Sequence, residues 1–350
     1  MKVSSKTKLV LTALVLLYLH TACQSAQPAA ASTGMHNTTS TETASTQATA
    51  STSATALAPA ADPVFEGLSY KYAVNKVTLP NGVRIAYTDE GKGPETLIFI
   101  HGLGSYLPAW DKNVAALSQH YRCIAIDLPG YGKSDKTGVT AGMATYAEDV
   151  LALMDALQLE QATLVGHSMG GQIAITAALK EPQRIKHLVL AAPAGIETFT
   201  EQEKQLFKMT VTPESVQKTT PEQVVANFKV NFHQMPADVQ YMIDDRLKIA
   251  ESAEFGAYSA AVAGSVAAMV DEPVYEQLPQ VQVPTLIIFG AQDALIPNRY
   301  LNPNLTTQAV AEAARQRIPN SQLVVLPETG HFLQYEQADA FNKAIREFLK

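Results

Sequence analysis

The pentapeptide Gly166-His167-Ser168-Met169-Gly170 constrains this chain more than any other feature, because of what stands on either side of it. Ala162-Thr163-Leu164-Val165 before it is an apolar run with the length of a buried strand. Gln172-Ile173-Ala174-Ile175-Thr176-Ala177-Ala178-Leu179 after it has helical composition and periodicity. Gly-x-Ser-x-Gly between a strand and a helix reads as a nucleophile elbow, a strained turn that lifts the serine hydroxyl out of a sheet. Gly166 and Gly170 suit it because strand and helix pass too close for a Cβ. The turn also aims the Met169 amide and the helix N-terminus at the space beside the hydroxyl, where an oxyanion would form.

A serine hydroxyl is a poor nucleophile near neutral pH and requires a base. Of the eight histidines, His20 lies in an N-terminal apolar segment and His36 in a low-complexity stretch. His120 and His187 fall at the starts of predicted strands, at the edge opposite the elbow. His233 lies among predicted helices, far from any strand end. His167 is inside the elbow, with its side chain expected to point away from that of the serine. His331 follows the short apolar strand Leu323-Val324-Val325-Leu326, on a loop at the carboxyl edge where open α/β sheets gather their sites. It is the expected base. The acid that holds the imidazole tautomer is expected at Asp293, on the loop closing the apolar strand Pro284-Thr285-Leu286-Ile287-Ile288-Phe289. Asp244 and Asp245 fall mid-helix, and Asp271 in a linker. His101 closes Thr96-Leu97-Ile98-Phe99-Ile100 and opens His101-Gly102-Leu103-Gly104. This looks like the loop that donates a second oxyanion-hole amide, from Leu103, with Gly102, Gly104 and His101 as loop support.

Together these segments resemble the α/β-hydrolases, in the branch with a helical cap. The likeness rests on the His-Gly-x-Gly loop at 101–104 and on Asp127-Leu128-Pro129-Gly130-Tyr131-Gly132-Lys133-Ser134-Asp135. It rests equally on the elbow, on Gly290-Ala291-Gln292-Asp293 and on Gly330-His331, and it spans roughly residues 70 to 350. The chain order Ser168, Asp293, His331 is the one α/β-hydrolases use. The resemblance implies a doubly wound, mostly parallel eight-stranded sheet with a cap insertion at about 196–280, and casts Asp127 as scaffold. Among chemistries on this fold, a serine nucleophile argues against epoxide hydrolases and haloalkane dehalogenases, which use an aspartate.

Ahead of this domain, Lys2, Lys6 and Lys8 precede the apolar stretch Leu9–Leu19, a secretory signal pattern too short for a comfortable span. His20-Thr21-Ala22-Cys23 then resembles a bacterial lipoprotein cleavage site, which makes Cys23 the expected lipidated residue and the membrane a partner through that anchor. His20 departs from the usual aliphatic residue there. The expected division is a signal peptide at 1–22, a tether at 23–62 and the hydrolase domain at 63–350, in the cell envelope. The tether is almost wholly Ala, Ser, Thr, Gln and Pro, and cannot bury enough surface to offset its ordering entropy. Cys123, the only other cysteine, lies in a predicted buried strand and should stay a free thiol. No Cys/His cluster has metal-site spacing, and no cofactor is expected. A formal charge of −7 without a basic run argues against nucleic acid.

The remaining strands and helices alternate. A hairpin is expected across Pro80-Asn81-Gly82, with helices at 109–119, 144–158, 307–317 and 337–349. In the insertion, Thr200 and Thr220 open capping boxes, and further helices are expected at 236–253 and 256–270. Phe199, Leu206, Phe207, Met209, Phe228, Phe232, Met235, Tyr241, Met242, Phe255, Tyr258 and Met269 are candidate pocket residues, though any single one reads more readily as cap core. The stretch after Asp293, from Pro297 to Thr307, is a candidate rim. The expected activity is cleavage of carboxylic esters, small or lipidic, through an acyl-enzyme. Carbon–carbon bond hydrolysis, lactone hydrolysis and perhydrolysis suit the same triad. A non-catalytic envelope lipoprotein that uses the fold for binding is the alternative of another class.

Overall fold

The computed structural model describes residues 62–350. The signal segment, Cys23 and the expected tether up to residue 61 lie outside the described residues, while Asp62, read as the end of that tether, caps the first helix of the domain.

One sheet organises the domain. Its strands are β1 (Asn75–Thr78), β2 (Arg84–Glu90), β3 (Thr96–Ile100), β4 (Arg122–Ile126), β5 (Ala162–His167), β6 (Ile185–Ala191), β7 (Thr285–Gly290) and β8 (Ser321–Leu326). They lie in the order β1-β2-β4-β3-β5-β6-β7-β8. β1 and β2 pair antiparallel, as do β2 and β4, and every pair from β4 to β8 is parallel. The parallel strands are the segments that read as continuous apolar runs, because helices cover both faces of such a sheet. β5 and β7 are buried along their whole length. β8 is covered less, since it forms one edge of the sheet.

The helices of the described region are α1 (Pro63–Glu66), α2 (Asp111–Leu117), α3 (Met143–Ala156), α4 (Met169–Lys180), α5 (Glu201–Thr210), α6 (Pro213–Gln217), α7 (Pro221–Lys229), α8 (Gln240–Ile249), α9 (Phe255–Asp271), α10 (Thr307–Arg317), α11 (Leu333–Glu336) and α12 (Ala338–Phe348). The chain steps one way across the sheet through α2 and the other way through α3, α4 and α10. Right-handed crossovers therefore set α2 on the opposite face from those three. α12 returns to pack beside α2, where Trp110 is fully buried between Phe99 and Phe341, at ring separations of 5.2 and 6.2 Å. The direction of winding reverses between β3 and β5. A crevice opens at the carboxyl ends of strands at such a point.

Helices α5 to α9 make up the insertion between β6 and β7. Thr200 and Thr220 cap α5 and α7 in the capping boxes expected of them. α6 was not foreseen. Its box uses Ser215 in place of Glu or Gln, with Thr212 Oγ1 accepting from the Ser215 amide at 3.2 Å and Ser215 Oγ accepting from the Thr212 amide at 3.0 Å. Asp271, read as linker, is instead the last residue of α9, where its carboxylate pairs with Lys208. Cys123 is buried and free. No helix of the described residues is long and apolar enough to cross a membrane.

The elbow joins these layers at their closest approach. A Cβ added to Gly166 would come 2.2 Å from the Gly170 carbonyl oxygen, and one on Gly170 would come 2.2 Å from that of Ile100 in β3. Both obstacles are backbone, so no side chain can swing aside. Gly170→Ala is expected to lower stability by at least about 1–3 kcal/mol, the range for overpacked cores. A urea midpoint unchanged from wild type would refute the close approach.

Candidate active site

Three loops at the carboxyl edge build the site. On the first, Ser168 sits between β5 and α4 with φ +53° and ψ −117°, in a region that L-residues seldom occupy. Gly171 and Gln172 of α4 and Ala194 beyond β6 all direct their amides to the Ser168 carbonyl. The strained turn is thus held from both sides.

The second and third loops follow β7 and β8 and are tied to each other. The Ala291 amide donates to the Leu326 carbonyl and Gln292 to the Thr329 carbonyl, while Thr329 donates back to the Gln292 side chain at 2.9 Å. These bonds carry Asp293 and His331 to one place. His331 Nδ1 lies 2.8 Å from Asp293 Oδ2, with Asp293 fully buried and His331 only 3% exposed. The other carboxylate oxygen, Oδ1, accepts from the amides of Leu295 and Ile296 at 2.8 and 3.0 Å. With both oxygens occupied in this way, the carboxylate holds one orientation and presents a single oxygen to the imidazole.

Ser168 and His331 line the same cavity, of about 510 Å³, together with Gly102, Leu103 and Gly104. Ser168 Oγ makes no hydrogen bond among the described residues. Met169 begins α4, so its amide is one of the unpaired donors at that helix terminus. His101 is buried behind the 102–104 loop. Its Nδ1 donates to the Gly102 carbonyl at 2.8 Å and its Nε2 accepts from the Leu128 amide at 3.1 Å. Burial holds its pKa below the ordinary imidazole value. The Asp127 carboxylate accepts from the Leu107 and Lys133 amides, each at 2.7 Å, and from the Tyr70 hydroxyl. It fastens the 101–107 loop to the turn after β4.

The cavity wall is mainly apolar and comes from the insertion. Phe199, Phe207, Phe228 and Phe232 line it, whereas Met209 and Met235 face solvent. Leu295, Ile296 and Asn298 contribute from the segment after Asp293. Four charged side chains also reach the wall. Lys204 pairs with Glu201 at 2.6 Å. Glu197 accepts from the Asn298 amide and from Asn302, and burial raises its pKa. Asp245 accepts from Ser69, Tyr106 and Lys248. Arg246 stacks over Tyr258 and Phe255 at 4.8 and 5.7 Å, and has no carboxylate partner among the described residues. Asp245 and Arg246 stand on a stretch whose polarity hides them among solvent-facing residues, and no local pattern separates the two from Asp244 or Lys248. No group of three or more His, Cys, Asp or Glu among the described residues is placed to hold a metal.

Two histidines stand elsewhere than their local sequence suggests. His233 is not remote from the strand ends. Its amide and that of Gln234 donate to the Glu336 carboxylate, which also receives the Gly330 amide, so the insertion is bound to the loop of His331. The His167 ring, expected merely to turn away from the serine, lies against the ring of His331 at 4.8 Å.

The model of the alpha/beta hydrolase fold matches residues 95–338, and the chain belongs to that family. It is 32% identical over 268 residues to the dihydrolipoyllysine-residue acetyltransferase component of the acetoin cleaving system of Pseudomonas putida. That match covers 74% of this chain and 65% of the relative, so the chain spans just under two thirds of that protein. It is 29% identical to a 2-hydroxy-6-oxononadienedioate/2-hydroxy-6-oxononatrienedioate hydrolase of Burkholderia vietnamiensis, over 81% of this chain and 97% of the other. Among solved structures, a thermophilic esterase from Thermogutta terrifontis superposes with a TM-score of 0.64 at 26% identity, covering 79% of this chain and 98% of its own.

The hydrogen bonds of Asp127 lead to a test of the scaffold. Asp127→Ala leaves two amides and a hydroxyl without an acceptor at a buried position, which should cost about 3 kcal/mol or more. A denaturation midpoint like that of wild type would contradict it.

Proposed function

We propose that the protein is a serine hydrolase that cleaves carboxylic esters through an acyl-enzyme. The observation that carries this reading is the buried Asp293–His331 bond beside a serine that opens on the same cavity. Ser168 Oγ attacks the ester carbonyl carbon and gives its proton to His331 Nε2. Asp293 holds the imidazole in the tautomer that leaves Nε2 free, and stabilises the imidazolium that forms. The amides of Leu103 and Met169 receive the oxyanion. Collapse expels the alcohol, which takes the proton from His331, and leaves the acyl group on Ser168. Water then attacks, passes a proton to His331, and frees the acid and the serine. The mainly apolar wall suits an uncharged acyl group, which gains about 25 cal/mol for each Å² removed from water.

One observation favours a second reading on the same triad. Arg246 brings to a mainly apolar cavity a cation with no carboxylate partner among the described residues, and an anionic substrate group would complement it. The similarity to a hydrolase named for dioic acid substrates points the same way. In that reading Ser168 and His331 cleave a carbon–carbon bond next to a carbonyl, and Arg246 takes a substrate carboxylate.

One measurement tests the shared triad and a second separates the two readings. Ser168→Ala should lower kcat on p-nitrophenyl esters by about four to six orders of magnitude, because the triad acts as a unit. Ester turnover that survives the substitution would refute the assignment. Arg246→Met should lower kcat/KM for a carboxylated dienone by about 10- to 100-fold, as for the loss of a charge-assisted hydrogen bond, and that for a neutral ester far less. Equal losses on both substrates would remove the case for an anionic substrate.

A further inference from the structure

His167 precedes the nucleophile, yet its ring is spent on the base. It is 3% exposed, and its Nε2 lies 3.0 Å from the carbonyl oxygen of His331, 164 residues away in the chain. A carbonyl only accepts, so Nε2 carries the proton and Nδ1 is a bare lone pair. That lone pair has no hydrogen-bond partner among the described residues and faces the loop of Gly102. A Cβ on Gly102 would stand 2.9 Å from it and 3.2 Å from the Ser168 Cβ. One ring face packs against His331 at 4.8 Å, and the ring meets Phe332 edge-on at 5.2 Å, with Phe232 behind Phe332 at 5.4 Å. One side chain therefore touches the Gly102 loop and the His331 loop while its own backbone leads into Ser168.

A second base must take up a proton and become charged, which this arrangement disfavours. Burial together with the neighbouring His331 pushes the His167 pKa well below the ordinary value, and its one proton is already committed to a backbone carbonyl. The ring stays neutral, which suits its place: a charge there would repel the imidazolium formed during turnover. What the ring does provide is an anchor. The Asp293 bond fixes one atom of the His331 ring and leaves the ring able to swing about that contact. A second bond at the His331 carbonyl fixes the backbone from which the ring projects.

We propose that His167 is a positioning residue, whose Nε2–H bond to the His331 carbonyl holds His331 Nε2 in line with the Ser168 hydroxyl. The proposal rests on the serine-hydrolase reading above. The constraint bears on proton transfer rather than on substrate binding, so its loss belongs in kcat.

The test compares His167→Gln, His167→Asn and His167→Phe in the full chain, using a p-nitrophenyl ester that wild type hydrolyses. Glutamine can set an amide N–H near the position of Nε2, whereas asparagine sets one near Nδ1, and phenylalanine keeps a ring without a donor. Asn and Phe should lower kcat by about 10- to 100-fold with KM little changed, the scale on which small misplacements act. Gln should recover most of that loss. Equal losses in Gln and Asn, or a loss that appears in KM, would overturn the proposal. The two amides differ by one methylene, so their comparison decides the matter even where the Phe variant fails to fold. A fully active His167→Phe beside an inactive Ser168→Ala would overturn only the role of His167. Hydrolysis that survives Ser168→Ala would overturn the function reading itself.

Discussion

The site depends on a backbone approach that only glycine permits. β5 must run straight into α4 while α4 presses on the end of β3, and the Ser168 turn is the point of contact. With Gly166 under the Gly170 carbonyl and Gly170 against that of Ile100, the helix starts directly behind the hydroxyl. The left-handed φ of Ser168 follows from that geometry and costs conformational energy. The bonds that gather at the Ser168 carbonyl offset it. The same approach aims the first amide of α4 beside the Ser168 hydroxyl, so strain and electrostatics have one origin.

Everything else at the carboxyl edge is brought to this fixed point by loops that hold one another. The loops after β7 and β8 exchange backbone and side-chain bonds, which align Asp293 with His331 before either meets the elbow. Glu336 links the His331 loop to the insertion through three amides, and the Phe332 amide adds a bond to the Asn231 carbonyl. The wall of the cavity and the His331 loop are therefore connected mechanically. On the other side, Asp127 and His101 bind the 101–107 loop to the turn after β4. The inner parts of the site are thus tied together by hydrogen bonds, and much of the cavity wall comes from the insertion.

How much of this could be read from the chain depended on the range of the forces involved. Buried parallel strands announce themselves as apolar runs, and the elbow, the 101–104 loop and the capping boxes of α5 and α7 are local patterns with local causes. α6 was missed because a serine closes its capping box, a weaker signal than Glu203 or Gln223 in the neighbouring boxes. Asp245 reads only as a mid-helix residue because its partners, Ser69 and Tyr106, lie far along the chain, and Arg246 is passed over because its contact is with Tyr258 on the next helix. His167 is the clearest case. Its position in the elbow was evident, but its bond to His331 crosses the sheet edge, and no spacing encodes it.

The central claim is that Ser168 is an activated nucleophile. The most direct measurement is reaction of the full chain with a fluorophosphonate, followed by mass mapping of the labelled peptides. The account predicts one adduct, on the Ser168 hydroxyl, because it assigns to that serine an imidazole base and two oxyanion-binding amides. An unlabelled Ser168, or a label carried by another residue, would contradict it.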